Sequence, residues 1–329
     1  MSQAAQRVLP RWRGFNLTDL TTTNASGKFR EDDFRWIADW GFDFLRLPLS
    51  YHLWTAPDDP YDVRESVLEE IDRAVELGGK HHLHVCLNFH RAPGFCVNPN
   101  PPEPFDLWTD NEALEAFCFH WELFARRYRA IPSDRLSFNL VNEPTSAVKR
   151  ADHERVMRTA VSHIREIDAD RLLIIDGLAW GKEPCPELID LGVAQSCRAY
   201  WPHAVSHYKA KWAGGENLPL PTWPGVLHRG EVWDRAKLEE HYRPWTELAR
   251  SSVGVHCGEG GCFNQTPRDV FLRWFRDVLD ILTSHGIGYA LWNFRGAFGI
   301  MDSGREDVRY EDWHGHRLDR ELLQLLREF

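Results

Sequence analysis

The sequence predicts a single (β/α)8 barrel of the α/β class over residues 1–329. Eight short apolar runs alternate with amphipathic stretches over roughly 300 residues, which is the element count of this barrel. No glycine-rich GxGxxG or GxxxxGK turn follows an early run, and this argues against a doubly wound open sheet. No linker-like segment or internal repeat divides the chain, so we expect one domain.

The eight apolar runs are too continuous for antiparallel strands with one solvated face and are typical of strands buried on both faces. In a barrel of this kind, the residues at the carboxyl ends of the strands face the substrate. We predict the strands, in chain order, at residues 14–17, 42–47, 83–89, 136–141, 172–176, 193–199, 253–257 and 287–292.

Apolar residues at helical spacing predict the intervening helices. The first of them is expected to stop at Gly78 and Gly79, because glycine commonly ends a helix. The glycine-, proline- and tryptophan-rich segment 201–231 would be a long loop after strand six, on the face that carries active sites. We predict helices at residues 63–77, 111–128, 151–167, 268–285 and 319–329.

The formal charge is −10, from 39 Lys and Arg against 49 Asp and Glu. This surplus of negative charge disfavours binding to nucleic acid phosphates and to anionic membranes. No run approaches the ~20 apolar residues that would span a bilayer. We therefore predict neither a nucleic acid partner nor a membrane partner.

The seven cysteines are an odd number and show no CxxC spacing. This pattern predicts reduced, mostly buried cysteines and no zinc site. Residues 1–7 contain no apolar segment of signal-peptide length, so we predict a cytoplasmic protein, although a secreted protein whose signal has been removed would look the same.

Tryptophan is unusually frequent, with 15 residues. Its flat ring suits stacking on sugars and also fills large cores, and the composition alone leaves both roles open. We expect one or two of the tryptophans in loops after strands to line outer sugar subsites and the rest to pack. These loop residues are Trp108, Trp180, Trp201, Trp212 and Trp223.

His81, His82 and His84 resemble a metal-binding group. They lie at the start of predicted strand three, however, which is the end of a barrel that serves stability rather than catalysis. We predict no metal and no cofactor.

Polar and aromatic residues recur where the predicted strands end. Two of them are carboxylates, Glu143 after strand four and Glu259 after strand seven, on opposite sides of a closed barrel. A lone Glu after a strand usually caps a helix or forms a salt bridge, so the joint pattern is what favours a functional site. The residues in this pattern are Arg46, His90, Asn142, Glu143, Arg198, Tyr200, Glu259 and Trp292.

Cleavage of a glycosidic bond needs such a carboxylate pair. One carboxyl group protonates the leaving oxygen, and the other meets the anomeric carbon as positive charge develops there. A nearby arginine lowers the pKa of a nucleophilic carboxyl group, whereas an apolar surrounding raises the pKa of a general acid.

From Arg13-Gly14-Phe15-Asn16 to Ala290-Leu291-Trp292-Asn293, the order and spacing of these motifs resemble glycoside hydrolase family 5, a family of retaining β-glycanases. The resemblance implies that Glu143 is the acid/base and Glu259 the nucleophile. It further implies that Arg46 and Tyr200 contact the nucleophile, that His90 and Asn142 belong to the −1 sugar subsite, and that Trp292 is the platform beneath that sugar.

One position departs from the family pattern, because Arg198 stands where most members have histidine. A cation touching Glu143 would lower its pKa and so weaken it as a general acid. We therefore expect the Arg198 guanidinium to point away from Glu143 and to hold sugar hydroxyls. An ion pair with a loop acid such as Glu216 is the alternative.

The sequence thus predicts a retaining β-glycoside hydrolase that acts on β-1,4-linked oligosaccharides. The resemblance slightly favours manno-configured over gluco-configured chains. An endo-β-1,4-glucanase, another β-glycosidase of the family and an inactive carbohydrate-binding barrel are the alternatives. The sequence leaves endo or exo cleavage and the oligomeric state open.

Overall fold

The computed structural model describes residues 9–23, 27–56, 59–251 and 253–329. The segment 1–7, on which the prediction of no signal peptide rests, lies outside the described residues.

Eight parallel strands close into a barrel, as the sequence predicts. Each strand pairs with the next one along the chain, and the eighth pairs with the first. The strands are β1 (Arg13–Asn16), β2 (Phe44–Ser50), β3 (His84–Ala92), β4 (Leu136–Asn139), β5 (Leu172–Asp176), β6 (Ala194–Ala199), β7 (Val255–Gly260) and β8 (Gly288–Leu291).

The longer helices surround this barrel and cover its outer face with apolar side chains. They are α1 (Glu31–Asp39), α2 (Glu65–Lys80), α3 (Asn111–Tyr128), α4 (Arg150–Ile167), α5 (Arg235–Ser251), α6 (Arg268–Ser284) and α7 (Arg320–Glu328). Short helical segments at Leu178–Gly181 and Pro186–Leu191 follow β5, and others at His203–Ser206 and Lys211–Ala213 follow β6.

The helix α2 does not stop at Gly78 and Gly79, and here the sequence prediction is wrong. Both glycines lie inside the helix, against other elements: a Cβ atom at Gly78 would lie 2.3 Å from Val85 Cγ2, and one at Gly79 would lie 1.9 Å from Arg135 Nη2. These glycines therefore allow close packing rather than a helix end.

The helices α1 and α5 are not predicted from the sequence. In α5, Leu238, Tyr242, Trp245 and Leu248 form a buried face at helical spacing, but Pro244 interrupts the pattern in the sequence. Proline lacks an N–H group and usually marks a helix end, so its position obscured this helix.

Three strands, β2, β3 and β7, each continue three residues beyond their predicted ends, so His90 and Glu259 lie within strands rather than after them. For the same reason, Arg46 lies within β2 rather than at its end. In β7 the pairing register shifts between Cys257 and Glu259 on the side of β6. Such irregularities re-aim side chains, and this one precedes a predicted catalytic residue.

The amino-terminal end of the barrel is filled by aromatic and imidazole rings. The His84 ring stacks on Trp12 with centroids 3.7 Å apart, and its nitrogens lie 2.9 Å from the Asp134 carbonyl and 2.8 Å from Ser137 Oγ. Within the described residues, no three His, Cys, Asp or Glu side chains come together to hold a metal ion. These contacts give His84 a packing role.

All seven cysteines have free thiols, and six of them are buried, as the sequence predicts. Among the helices of the described ranges, none has the length and apolar character needed to cross a membrane.

Candidate active site

The structure brings the eight predicted site residues together at the carboxyl ends of the strands. Five of them form one buried hydrogen-bonded network, Glu143 joins it through Arg198, and the His90 ring stacks on Trp292 with centroids 5.3 Å apart. The five are Arg46, Asn142, Arg198, Tyr200 and Glu259.

Glu259 is held by donors on both carboxylate oxygens. Arg46 Nη1 donates to Oε1 at 2.6 Å, and the Tyr200 hydroxyl donates to Oε2 at 3.1 Å. Burial by itself would raise the pKa of Glu259, but the guanidinium groups of Arg198 and Arg46 outweigh it, and the pKa is lowered. Glu259 is therefore set up to be an anion.

Glu143 has the opposite environment. Its side chain exposes 13% of its surface, and burial and the negative charge of Glu259 raise its pKa although Arg198 opposes them. Oε1 accepts a hydrogen bond from Arg198 Nε at 3.0 Å, and no described residue is bonded to Oε2. The carboxyl group can therefore carry a proton on Oε2.

Arg198 does not point away from Glu143, so that prediction is wrong, and so is the alternative of a pair with Glu216, which lies 3.2 Å from Lys211. The guanidinium group is almost fully buried and has no donor left for a sugar hydroxyl. Its five N–H groups face Glu143 Oε1, Ser196 Oγ, the Cys197 carbonyl, Asn142 Oδ1 and Asp176 Oδ2.

Three buried polar residues of this network are not predicted from the sequence: Asp176, Asn139 and Asn16. Asp176 accepts hydrogen bonds from Arg198 and from the backbone N–H of Glu143, the latter at 2.9 Å. Asn139 and Asn16 accept from Arg46 at 2.9 and 3.0 Å. The available signal was that Asp176 and Asn16 are polar residues at or near the ends of apolar runs.

Two further predicted residues keep polar atoms unpaired. Asn142 Oδ1 accepts from Arg46 at 2.8 Å and from Arg198 at 3.0 Å, while its Nδ2 is buried and has no partner among the described residues. His90 Nδ1 is likewise buried and unpaired, and burial lowers the His90 pKa to about 4. Buried polar atoms without partners are costly, so the Asn142 Nδ2 donor and His90 Nδ1, which donates or accepts according to the tautomer, are suited to a ligand's hydroxyl groups.

A cavity of about 420 Å³ opens beside Glu143. Trp180 and Trp212 form its exposed walls, while Trp201 lines it from a buried position. Trp108 and Trp223 are packed in the core, whereas a sugar-binding role for the exposed Trp180 and Trp212 stays a prediction. Glu143 lines this cavity and Glu259 does not, so the cavity lies on the Glu143 side of the site.

The comparisons with known sequences agree on one family. A sequence profile described as Cellulase (glycosyl hydrolase family 5) matches residues 2–297. Endoglucanase C of Acetivibrio thermocellus is 26% identical over 310 residues, covering 85% of this chain and 88% of that protein. Cellodextrinase A of Ruminococcus flavefaciens is 26% identical over 269 residues, covering 78% and 76%.

Solved structures of glycoside hydrolases superpose on this chain. A crystal structure of a glycoside hydrolase superposes with a TM-score of 0.93 at 42% identity, covering 97% of this chain and 99% of the other. Cel5A of Thermotoga maritima, solved with cellobiose and with mannotriose, superposes with TM-scores of 0.78 and 0.77 at 22% identity, covering 96% of this chain and 96% and 97% of the other. The likeness to Cel5A concerns the fold alone.

Proposed function

Because the chain belongs to glycosyl hydrolase family 5, we propose that it is a retaining β-glycosidase with Glu259 as nucleophile and Glu143 as acid/base. The observation that carries this proposal is the opposite shift of two neighbouring carboxyl pKa values, lowered at Glu259 and raised at Glu143. Carboxyl groups whose environments separate their pKa values in this way can act as base and acid at the same pH.

The proposed reaction has two steps. Glu259 attacks the anomeric carbon while Glu143 gives its proton to the glycosidic oxygen, and an α-linked glycosyl-enzyme forms as the aglycone leaves. Glu143, now a carboxylate, takes a proton from water, whose oxygen attacks the same carbon and releases Glu259. Arg46 and Tyr200 hold Glu259 in place in both steps.

The proposed substrates are β-1,4-linked hexose oligosaccharides. The names of the relatives, an endoglucanase and a cellodextrinase, favour gluco-configured chains. A preference for manno-configured chains remains a prediction. Cel5A, which has the same fold, was solved with cellobiose and with mannotriose, so this fold can hold either kind of sugar. The exposed Trp180 and Trp212 would contact the sugars of the leaving group.

We expect the protein to release shorter sugars from at least one of two series, cellobiose to cellohexaose or mannobiose to mannohexaose. Product sizes over time, measured by chromatography, would rank the two series by kcat/KM and separate endo from exo cleavage. The Glu259→Gln variant serves as the control for contaminating activity. Binding of either series without any hydrolysis would support the inactive carbohydrate-binding barrel.

The stereochemical outcome tests the two-step mechanism separately from the substrate. Two inversions give net retention, so the β-anomer of the new reducing sugar should appear first. Proton NMR during the first minutes of hydrolysis, before mutarotation, measures this directly. The α-anomer as first product would mean a single inversion and would exclude Glu259 as a covalent nucleophile.

A further inference from the structure

Four buried ionisable side chains surround Glu143, the proposed proton donor, and form a group of five with it. Arg46 and Arg198 are cations at any working pH. Glu259 is the proposed anionic nucleophile, and Asp176 accepts from three N–H groups with its two oxygens, which is the bonding of a carboxylate. Two cations and two anions balance, so the group is neutral only while Glu143 carries its proton.

From this balance we infer that Asp176 is a positioning residue that keeps Glu143 protonated and correctly oriented for proton transfer. The inference rests on the proposed function and adds a residue to it. Asp176 is fully buried at the end of β5, and it touches Glu143 only through the backbone. It does not need to contact the substrate to act.

The first part of this role is electrostatic. Arg198 Nε lies 3.0 Å from Glu143 Oε1, and a cation this close would by itself draw the proton from a carboxyl group. The same guanidinium group also donates to Asp176, through Nη2. The negative charge of Asp176 therefore compensates Arg198, and Glu143 experiences a neutral pair instead of a free cation.

The second part is conformational. The backbone of Glu143 has a φ of 48°, in the left-handed region that residues with a Cβ atom seldom adopt. The hydrogen bond from its N–H to Asp176 Oδ2, at 2.9 Å, fixes this conformation. Such strain persists only where the surroundings hold it, and it directs the Glu143 side chain towards the cavity.

The remaining ionisable groups near Glu143 do not supply this compensation. Burial lowers the pKa values of His90, His203 and His207, so these rings are neutral, and burial raises those of Tyr200 and Cys96. Arg229 lies at the outer rim of the cavity. The charged and titratable groups facing Glu143 are Arg46 on β2, His90 on β3, Cys96 after β3, Asp176 on β5, Arg198 on β6, Tyr200, His203, His207 and Arg229 after β6, and Glu259 on β7.

The experiment is the Asp176→Asn variant, assayed on two substrates. With one anion removed, the group becomes neutral only when Glu143 loses its proton. Hydrolysis of cellotetraose or mannotetraose, whichever the wild type cleaves, should fall by about 10²-fold to 10⁴-fold. A dinitrophenyl β-glycoside, whose leaving group needs no proton, should lose less than about tenfold. The basic limb of the kcat/KM pH profile for the oligosaccharide should move to lower pH by about one unit or more.

Two further variants separate charge from structure. Arg198→Gln removes the compensated cation, so the basic limb should move to higher pH, opposite to Asp176→Asn. The double variant Asp176→Asn/Arg198→Gln removes one charge of each sign, and its basic limb should return towards that of the wild type. Asp190→Asn is the matched control, because Asp190 is an exposed aspartate that pairs with Arg158 on the protein surface.

A purely structural role for Asp176 predicts different results. Both substrates would then lose activity equally, the pH profile would keep its basic limb, and the double variant would be no better than the single one; any of these outcomes overturns the inference. Thermal unfolding of each variant shows whether it is folded. An inactive wild type would instead contradict the proposed function, so the two failures are distinguishable.

Discussion

Replacing Glu259 by alanine is expected to abolish hydrolysis of every β-glycoside, with kcat lower by at least about 10⁴-fold. Without the carboxylate no glycosyl-enzyme can form, and an activated leaving group does not help. The loss also reaches Glu143, since the negative charge of Glu259 raises the pKa of Glu143. The variant therefore has no nucleophile, and its Glu143 loses the catalytic proton at lower pH, which is why we expect the largest effect here.

Steady-state rates on an oligosaccharide and on a dinitrophenyl glycoside measure this effect. The matched control is Glu216→Ala, since Glu216 is an exposed glutamate that pairs with Lys211 and has no contact with the site. Azide, if it restores turnover of the Glu259→Ala variant, should enter from the vacated face and give the α-glycosyl azide. A β-glycosyl azide from this variant would mean that the roles of Glu259 and Glu143 are reversed.

The effect of Glu259→Ala on the stability of the fold can be separated from its effect on catalysis. Glu259→Ala removes the carboxylate that Arg46 Nη1 contacts at 2.6 Å, and a buried cation that loses an anionic partner destabilises the folded state. The Glu259→Gln variant keeps the shape and an acceptor oxygen while it removes the charge. Equal loss of activity in both variants, with a smaller loss of thermal stability in Glu259→Gln, would assign the effect to chemistry.

The sequence predicts where the candidate site lies because a barrel brings the residues at its strand ends together. Once the apolar runs indicate eight parallel strands, the residues after each run must meet at one end of the barrel. Glu143 and Tyr200 follow their strands and Glu259 lies near the end of β7, and so they could be found without a structure. Arg46 was found for the same reason, although β2 continues for four residues beyond it.

The charge interactions within the site cannot be predicted from the positions of the strands. Arg198 donates to Asp176 as well as to Glu143, and the sequence does not show this pairing, although it places both residues near the ends of neighbouring strands. The prediction that Arg198 points away from Glu143 considers these two residues alone, and it is therefore wrong. The end of α2 was missed for a related reason, because whether Gly78 ends a helix depends on what packs against it.

The acid/base gives the second large effect, and its pattern differs from that of the nucleophile. Glu143→Ala should lower kcat/KM for oligosaccharides by about 10²-fold to 10⁴-fold but leave that for a dinitrophenyl glycoside nearly unchanged. The variant keeps two cations and two anions around the site, so Glu259 stays ionised and the glycosyl-enzyme still forms. Water is no longer deprotonated, however, so this intermediate should accumulate and lower both kcat and KM for the activated substrate.

The pH dependence and the response to azide complete this test. In the wild type, hydrolysis of oligosaccharides should fall at low pH as Glu259 is protonated and at high pH as Glu143, whose pKa is raised, loses its proton. In Glu143→Ala, the profile for the dinitrophenyl glycoside should keep only the acidic limb. Azide should speed turnover and give a β-glycosyl azide, because it attacks the α-linked intermediate from the face that Glu143 left. Equal losses on both substrates and no response to azide would show that Glu143 is not the acid/base.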